Sequence, residues 1–118
     1  MTNYKQQDII LVDFGFSEGV GSKKRPALII SSNDYHKGRQ EVIIAAVTSR
    51  TDRALVGDHL ITDWRGAGLL FPSVATGIIR TIKQGMIARK LGMMPQGDMS
   101  AIDEKLRDAL GLRLRQGG

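Results

Sequence analysis

Two side chains that can act on a phosphodiester lie far apart in this sequence but at matching ends of two apolar runs. Arg25 precedes Pro26 at the start of one run, and Thr48 follows the other. A guanidinium donates two hydrogen bonds in one plane, which fits the oxygens of a phosphate, and a hydroxyl donates one more. If the two runs pair, Arg25 and Thr48 form a site suited to a phosphodiester.

The two runs have the pattern of a β-hairpin. Residues 27–32 and 41–47 are rich in branched side chains that favour strands, and the polar stretch between them contains a glycine. The loop is centred between residues 36 and 37, so Arg25 is predicted to face Thr48 with Cβ atoms roughly 5 Å apart. A slip of one residue places Ser49 there instead. Because proline is tolerated at the first residue of a strand, Arg25 is expected at the rim of the sheet.

The elements around this hairpin predict one compact, mostly antiparallel barrel. Apolar residues recur at helical spacing from Met99 to Leu110, and Gly111 is predicted to end the helix. The remaining predictions are a strand at 8–16, a glycine-rich loop at 15–24, a loop at 50–56, a strand at 57–62, a turn at 63–68 and strands at 73–82 and 86–94. We expect one domain over residues 1–118, with a frayed tail at about 113–118.

Composition limits the classes of function. The chain has 118 residues, no cysteine and a net charge of +5, which favours an anionic partner such as nucleic acid or an acidic protein. Cysteine chemistry is excluded, and the two histidines and scattered carboxylates show no metal-binding spacing, so no metal or cofactor is expected. No apolar run is long enough for a membrane span or a secretion signal, and a cytoplasmic location is expected.

Six fragments in this order resemble the PemK/MazF toxins of bacterial toxin-antitoxin pairs, over residues 8–112. They are Asp-Ile-Ile-Leu-Val-Asp-Phe from residue 8, Lys-Arg-Pro-Ala-Leu-Ile-Ile-Ser from 24, Ala-Ala-Val-Thr-Ser from 45, Thr-Asp-Trp-x-x-Ala-Gly-Leu from 62, Pro-Ser-Val from 72 and Ile-Arg-Thr-Ile from 79. The resemblance implies a mainly β fold with helices (α+β), an SH3-like barrel of about five to seven antiparallel strands with a C-terminal helix. It also implies a homodimer, metal-independent and sequence-specific cleavage of single-stranded RNA, and an acidic antitoxin.

The roles of site residues carry over at matching positions. Arg25 and Thr48 match the catalytic pair of the family. The predicted RNA-binding residues are Phe16, Lys23, Lys24, Ser49 and Ser73. The chain departs from the family at Gly77-Ile78, where many members have Asp-Gln and the glutamine reads RNA, and at Lys83, where many have aspartate. These departures bear on the RNA sequence that is recognised.

RNA carries its own nucleophile, the 2′-hydroxyl, so the protein must supply charge and geometry. Arg25 is assigned to the negative charge that develops on the phosphate, and Thr48 to a non-bridging oxygen. Arginine stays protonated and a threonine hydroxyl is a poor base, so His36, Glu18 or water are the candidates for the general base.

Structural roles compete with several of these assignments. For His36 a solvated side chain in the hairpin loop is favoured, and His59 is expected in a strand with a satisfied ring. Phe14, Phe16 and Trp64 suit base stacking, although core packing is the commoner use of an aromatic side chain. Phe16 is the best stacking candidate among the three.

Two other functions remain open at this point. CcdB toxins, which poison DNA gyrase, share the barrel but act through a C-terminal Trp-Gly-Ile, whereas this sequence ends Arg-Gln-Gly-Gly. A barrel without catalysis that only binds RNA or a peptide is the third hypothesis. It predicts salt-sensitive RNA binding with no cyclic-phosphate product.

Overall fold

The computed structural model describes residues 4–14 and 23–112. In this part of the chain, one antiparallel sheet holds six strands. In chain order the elements are β1 (Asp8–Asp13), β2 (Lys24–Ile29), α1 (Asn33–His36), β3 (Glu41–Thr48), β4 (His59–Leu60), β5 (Val74–Lys83), a 3₁₀ turn (Gln84–Met86), β6 (Ile87–Met93) and α2 (Gln96–Leu110).

The strand order is β4-β5-β3-β2-β1-β6, so β2 and β3 lie in the middle of the sheet. The antiparallel sheet and the C-terminal helix confirm the predicted fold class. The sheet described here is not a closed barrel, because β4 and β6 are its two edges. Register shifts interrupt the β1–β6 and β3–β5 ladders. Such bulges bend a strand and increase its twist, which curves the sheet.

Apolar residues fill both faces of the sheet. Alternation along β1 places Ile9 in one core cluster, and Ile10 and Val12 in the other. Helix α2 covers the first face through Met99, Ile102 and Leu106. Burial on both faces explains why the strands read as nearly continuous apolar runs in the sequence.

Helix α2 confirms the clearest prediction from the sequence. It ends at Gly111, whose φ of 69° is a left-handed conformation that glycine adopts at little cost. The N–H of Leu112 donates to the carbonyl of Arg107 at 2.8 Å, which satisfies an acceptor that the helix end leaves open. The helix begins at Gln96, one turn before the first residue of the apolar pattern.

The hairpin loop differs from its prediction. It contains α1, capped by Ser32, whose hydroxyl accepts from the N–H of Tyr35 at 3.1 Å. This turn directs His36 inward, and the residue is only 5% exposed, so the expectation of a solvated histidine is wrong. Its Nε2 lies 2.6 Å from Ser31 Oγ, and burial lowers the pKa of His36.

The first strand ends at Asp13, so Phe14 lies outside it, and residues 15 and 16 of the predicted strand lie outside the described residues. The strands predicted at 57–62, 73–82 and 86–94 correspond to β4, β5 and β6, with β4 reduced to two residues. Within the described ranges, no helix is long and apolar enough to cross a membrane.

Candidate active site

The register of β2 on β3 sets the geometry of the site. Ala27 pairs with Ala46, and Ile29 with Ile44. The position numbers of these pairs sum to 73, which confirms the predicted register. Continued beyond the last pair, the same register brings Arg25 opposite Thr48.

Pro26 ends the ladder at this point. The N–H of Ile30 donates to the carbonyl of Ile43. Every second residue counted back from Ile30, and therefore Pro26, directs its backbone nitrogen and carbonyl toward β3. Proline has no N–H to donate, and the β2–β3 pairs stop at Ala27. On its other side Pro26 still pairs with Leu11 of β1. The β2–β3 ladder therefore ends before Arg25 and Thr48, while β2 stays paired with β1.

A cleft of about 480 Å³ opens where this ladder ends. Four predicted site residues line it: Arg25, Thr48, Ser49 and Ser73. Lys23 and Lys24 are exposed but do not line it. Phe16 lies outside the described residues. The other lining residues are Leu11, Pro26, Val47, Gly68, Leu69, Leu70, Phe71, Arg89 and Leu91.

The charge of the cleft is positive. Its two charged lining residues are Arg25 and Arg89, and no carboxylate lines it among the residues that the structure describes. Arg25 is exposed, and within residues 4–14 and 23–112 no carboxylate lies within salt-bridge distance of it. An arginine that is not neutralised by a neighbour keeps its donors for a ligand. The cleft therefore suits an anion.

The two hydroxyls of the cleft differ in what they can offer. Thr48 Oγ1 accepts from the N–H of Arg50 at 3.2 Å, which leaves the hydroxyl hydrogen of Thr48 for a ligand. Ser73 is only 4% exposed, and its Oγ donates to the carbonyl of Phe71 at 2.7 Å. Thr48 is thus available as a donor, whereas Ser73 uses its hydrogen to hold the loop.

The general base has no clear candidate among the described residues. His36 lies at the hairpin turn, at the opposite end of β2 and β3 from Arg25, in a separate hollow of about 610 Å³. That hollow is the larger of the two, but neither Arg25, Thr48 nor any predicted RNA-binding residue lines it. Glu18 lies outside the described residues, so it and water are the candidates that remain.

Two buried carboxylates have structural partners instead. A hydrogen bond from Arg53 lowers the pKa of Asp58. Burial raises the pKa of Asp98, but hydrogen bonds from His59, Thr62 and Asp63 outweigh it and lower the value overall. The 2.8 Å contact between His59 and Asp98 confirms that the His59 ring is satisfied. In the described part of the chain, no three His, Cys, Asp or Glu residues are grouped to hold a metal.

The structure around Gly77 explains why this position holds glycine, where many PemK/MazF toxins have aspartate. The N–H of Gly77 donates to Asp58 at 3.1 Å, and a Cβ on Gly77 would meet the carbonyl oxygen of Val56 at 3.1 Å and Cα of Gly57 at 3.2 Å. The 55–57 loop therefore packs against a backbone that has no side chain. An aspartate at this position does not fit without movement of that loop.

Sequence reasoning missed Arg89 and Phe71. Arg89 lies on β6 opposite Leu11, and the bulges between β1 and β6 made that register impossible to count from the sequence. Phe71 precedes Pro72 in a loop, and an apolar residue in a loop gives no sign of the surface it faces. Two of the three aromatic residues considered for base stacking, Phe14 and Trp64, pack against the core.

A curved antiparallel sheet with a helix over one face and a basic cleft where the β2–β3 ladder ends defines a small β-rich domain whose cleft suits an anion. Residues 5–110 match the family model described as PemK-like, MazF-like toxin of type II toxin-antitoxin system. The chain belongs to this family of toxins.

Solved structures show the same fold. The chain is similar to an endoribonuclease in complex with its cognate antitoxin from a mycobacterial species, with 22% identity and a TM-score of 0.74 over 94% of this chain and 98% of that one. It is also similar to the Deinococcus radiodurans MazE-MazF structure, with 18% identity and a TM-score of 0.77 over 96% and 100% of the two chains. For the Mycobacterium tuberculosis toxin MazF-mt6 the identity is 23% and the TM-score 0.73, over 91% of this chain and 99% of that one.

Proposed function

We propose that this toxin is an endoribonuclease that cleaves single-stranded RNA at specific sequences, without a metal ion, in the cleft between Arg25 and Thr48. The observation that carries the proposal is that a guanidinium and a free hydroxyl donor, brought together by the β2–β3 register, line a cleft with no described carboxylate. Such a site attracts a phosphodiester and can stabilise further negative charge on it.

The reaction is a transfer of the phosphoryl group within the RNA. The 2′-oxygen attacks the adjacent phosphorus, and the bond from phosphorus to the 5′-oxygen of the next nucleotide breaks. The 2′-hydroxyl loses its proton to a base or to water, and the departing 5′-oxygen gains one. The products are a 2′,3′-cyclic phosphate and a 5′-hydroxyl.

Each of the two residues has a separate task. Arg25 donates to the phosphate oxygens as their negative charge increases, and the loss of one such stabiliser typically costs about 10² to 10³ in rate. Thr48 donates to a non-bridging oxygen with the hydrogen that its contact to Arg50 leaves free. Arg89 binds a neighbouring phosphate and so helps to hold the strand in the cleft.

The proposed partners follow from the family and from charge. Members of the family act in toxin-antitoxin pairs, and the structures similar to this chain include complexes with an antitoxin. With a net charge of +5, this chain favours an acidic antitoxin. A homodimer is the assembly that we propose for it.

The test is cleavage of single-stranded RNA by the purified protein in the presence of EDTA, with the chemistry of the new ends determined. We expect 2′,3′-cyclic phosphate ends, and a loss of at least about 10²-fold in rate for Arg25→Ala. Arg25 is exposed, so the fold should survive, which circular dichroism would verify.

Arg107→Ala, an exposed arginine of α2 that does not line the cleft, is the control and should cleave at the wild-type rate. Undiminished cleavage by Arg25→Ala would contradict the assignment of this cleft. Binding of RNA with no cyclic-phosphate product would instead favour a domain that only binds.

A further inference from the structure

Phe71 is a large apolar side chain placed on the surface of the cleft. It is 63% exposed, and it lines the same cleft as Arg25 and Thr48. Covering an exposed aromatic ring with another apolar surface removes both from water and is favourable. Its position beside the proposed phosphate site makes a nucleobase the natural cover.

The backbone that carries Phe71 is held in place. Its carbonyl accepts from Ser73 Oγ at 2.7 Å, and the carbonyl of Ser73 accepts from the N–H of Ile61 at 3.0 Å. Earlier in the same loop, Gly68 packs against the backbone of β6, where a Cβ on Gly68 would lie 2.3 Å from the carbonyl oxygen of Leu91. The ring is therefore presented by an ordered loop, which lowers the entropy cost of binding a ligand to it.

The other described aromatic rings are already in use. Tyr4, Phe14 and Trp64 pack against core clusters, and the guanidinium of Arg39 lies 3.8 Å from the ring centroid of Tyr35. Phe71 belongs to neither core cluster, and no cation–π contact covers it among the described residues. Of these aromatics, it is the one that lines the cleft.

We propose that Phe71 forms a nucleotide subsite, in which its ring stacks on the base of a nucleotide adjacent to the scissile phosphate. The inference rests on the proposed ribonuclease function and adds to it the residue that binds a neighbouring base. Charge selects the occupant, because a strand whose phosphates bind Arg25 and Arg89 brings its bases into the cleft that Phe71 also lines. An aromatic face stacks on every base, so Phe71 supplies affinity and position more than discrimination.

The test measures binding separately from cleavage. The probe is a short RNA that contains the cleaved sequence, located beforehand by mapping RNA ends, and carries a 2′-O-methyl group at the cleaved position so that no nucleophile is present. Two further probes carry an abasic ribose on one side or the other of that position. Affinities are measured for the wild type, Phe71→Ala, Phe71→Trp and Leu110→Ala, an exposed apolar control at the end of α2.

We expect Phe71→Ala to weaken binding of the intact probe by roughly 5- to 150-fold, the range found for one base–aromatic stack. Wild-type protein should lose a similar factor with one of the two abasic probes, and Phe71→Ala should bind that abasic probe and the intact probe almost equally. Phe71→Trp should retain the affinity, and Leu110→Ala should match the wild type.

Three results would overturn the subsite. Equal affinity of Phe71→Ala and wild type for the intact probe would show that the ring binds no base, even if cleavage proceeds normally. Weakened binding of the antitoxin with unchanged RNA affinity would assign Phe71 to a protein partner. A wild-type protein that neither binds nor cleaves RNA would remove the proposed function and the subsite together.

Discussion

Gly68 packs backbone to backbone against Gly92 where the loop that carries Phe71 meets β6. A Cβ on Gly68 would lie 2.3 Å from the carbonyl oxygen of Leu91, and a Cβ on Gly92 would lie 2.3 Å from that of Ala67. Neither position has room for a side chain. The close approach fixes one wall of the cleft to the sheet that carries Arg89.

Gly68→Ala should therefore be strongly destabilising. Gly68 has a φ of 83°, which an alanine adopts only with strain, and the new methyl group would also clash with rigid backbone. We expect the free energy of unfolding to fall by at least about 2 kcal/mol. Urea denaturation followed by circular dichroism measures it.

Gly85→Ala is the matched control for that variant. A Cβ on Gly85 meets nothing within 4 Å, and this glycine does not have a positive φ. Its free energy of unfolding should stay within about 0.5 kcal/mol of the wild type. A similar urea midpoint for Gly68→Ala and Gly85→Ala would show that the close contact at Gly68 does not stabilise the fold.

Thr48→Val tests the hydroxyl of the proposed catalytic pair. Valine keeps the shape of threonine but removes the donor, so we expect the rate constant of RNA cleavage to fall by about 10². Thr48→Ser keeps the hydroxyl and should retain most of the rate. Single-turnover cleavage at saturating protein separates this chemical effect from binding. Equal rates for the valine and serine variants would mean that the hydroxyl does not act on the phosphate.

Arg89→Ala should change how RNA binding depends on salt. Each phosphate contact on a single strand contributes about 0.7 to the slope of log K against log salt concentration. We expect the magnitude of this slope to be smaller by about that amount in the variant. Its affinity should fall by a similar factor for every RNA sequence tested. Binding of a 2′-O-methylated RNA at four salt concentrations would provide the slopes. Arg65→Ala, an exposed arginine outside the cleft, should keep the wild-type slope, and an unchanged slope for Arg89→Ala would remove this phosphate contact.

The hairpin was predictable because its signals are local. Branched residues mark both strands, and a single count across the loop gave the register that pairs Ala27 with Ala46. The same count brought Arg25 and Thr48 to one end of the strands. The helix was predictable for a similar reason, since its apolar period and Gly111 lie within one stretch of chain.

The second wall of the cleft was not predictable in this way. Arg89 reaches it through a β1–β6 ladder with two register shifts, and no sequence count includes a bulge. Phe71 reaches it through a loop that is placed by glycine packing against β6. The position of His36 was predicted wrongly because the short helix α1 directs this side chain into the protein. A helix of a single turn has only a weak sequence signal.

Asp98 should make the stability of the fold depend on acid. Its buried carboxylate accepts from the N–H groups of Thr62 and Asp63, both at about 3 Å, and from the His59 ring, so it joins α2 to the segment that follows β4. These hydrogen bonds, acting against burial, lower the pKa of Asp98, and Arg53 lowers the pKa of Asp58. A carboxyl group whose pKa is lower in the folded than in the unfolded protein stabilises the fold at pH values above its unfolded-state pKa, which is about 3.9 for aspartate. This stabilisation is lost as the pH falls through the folded-state pKa.

We expect the free energy of unfolding of the wild type to fall steeply below about pH 4. Asp98→Asn should lose about 2 kcal/mol at pH 7, because an amide oxygen accepts fewer of these bonds, and should show a shallower fall in acid. The part due to Asp58 would remain in that variant. Asp103→Asn, an exposed position of the same helix, should follow the wild-type curve. Urea denaturation between pH 2.5 and 7 measures all three, and parallel acid curves for Asp98→Asn and the wild type would show that this carboxylate does not link folding to protons.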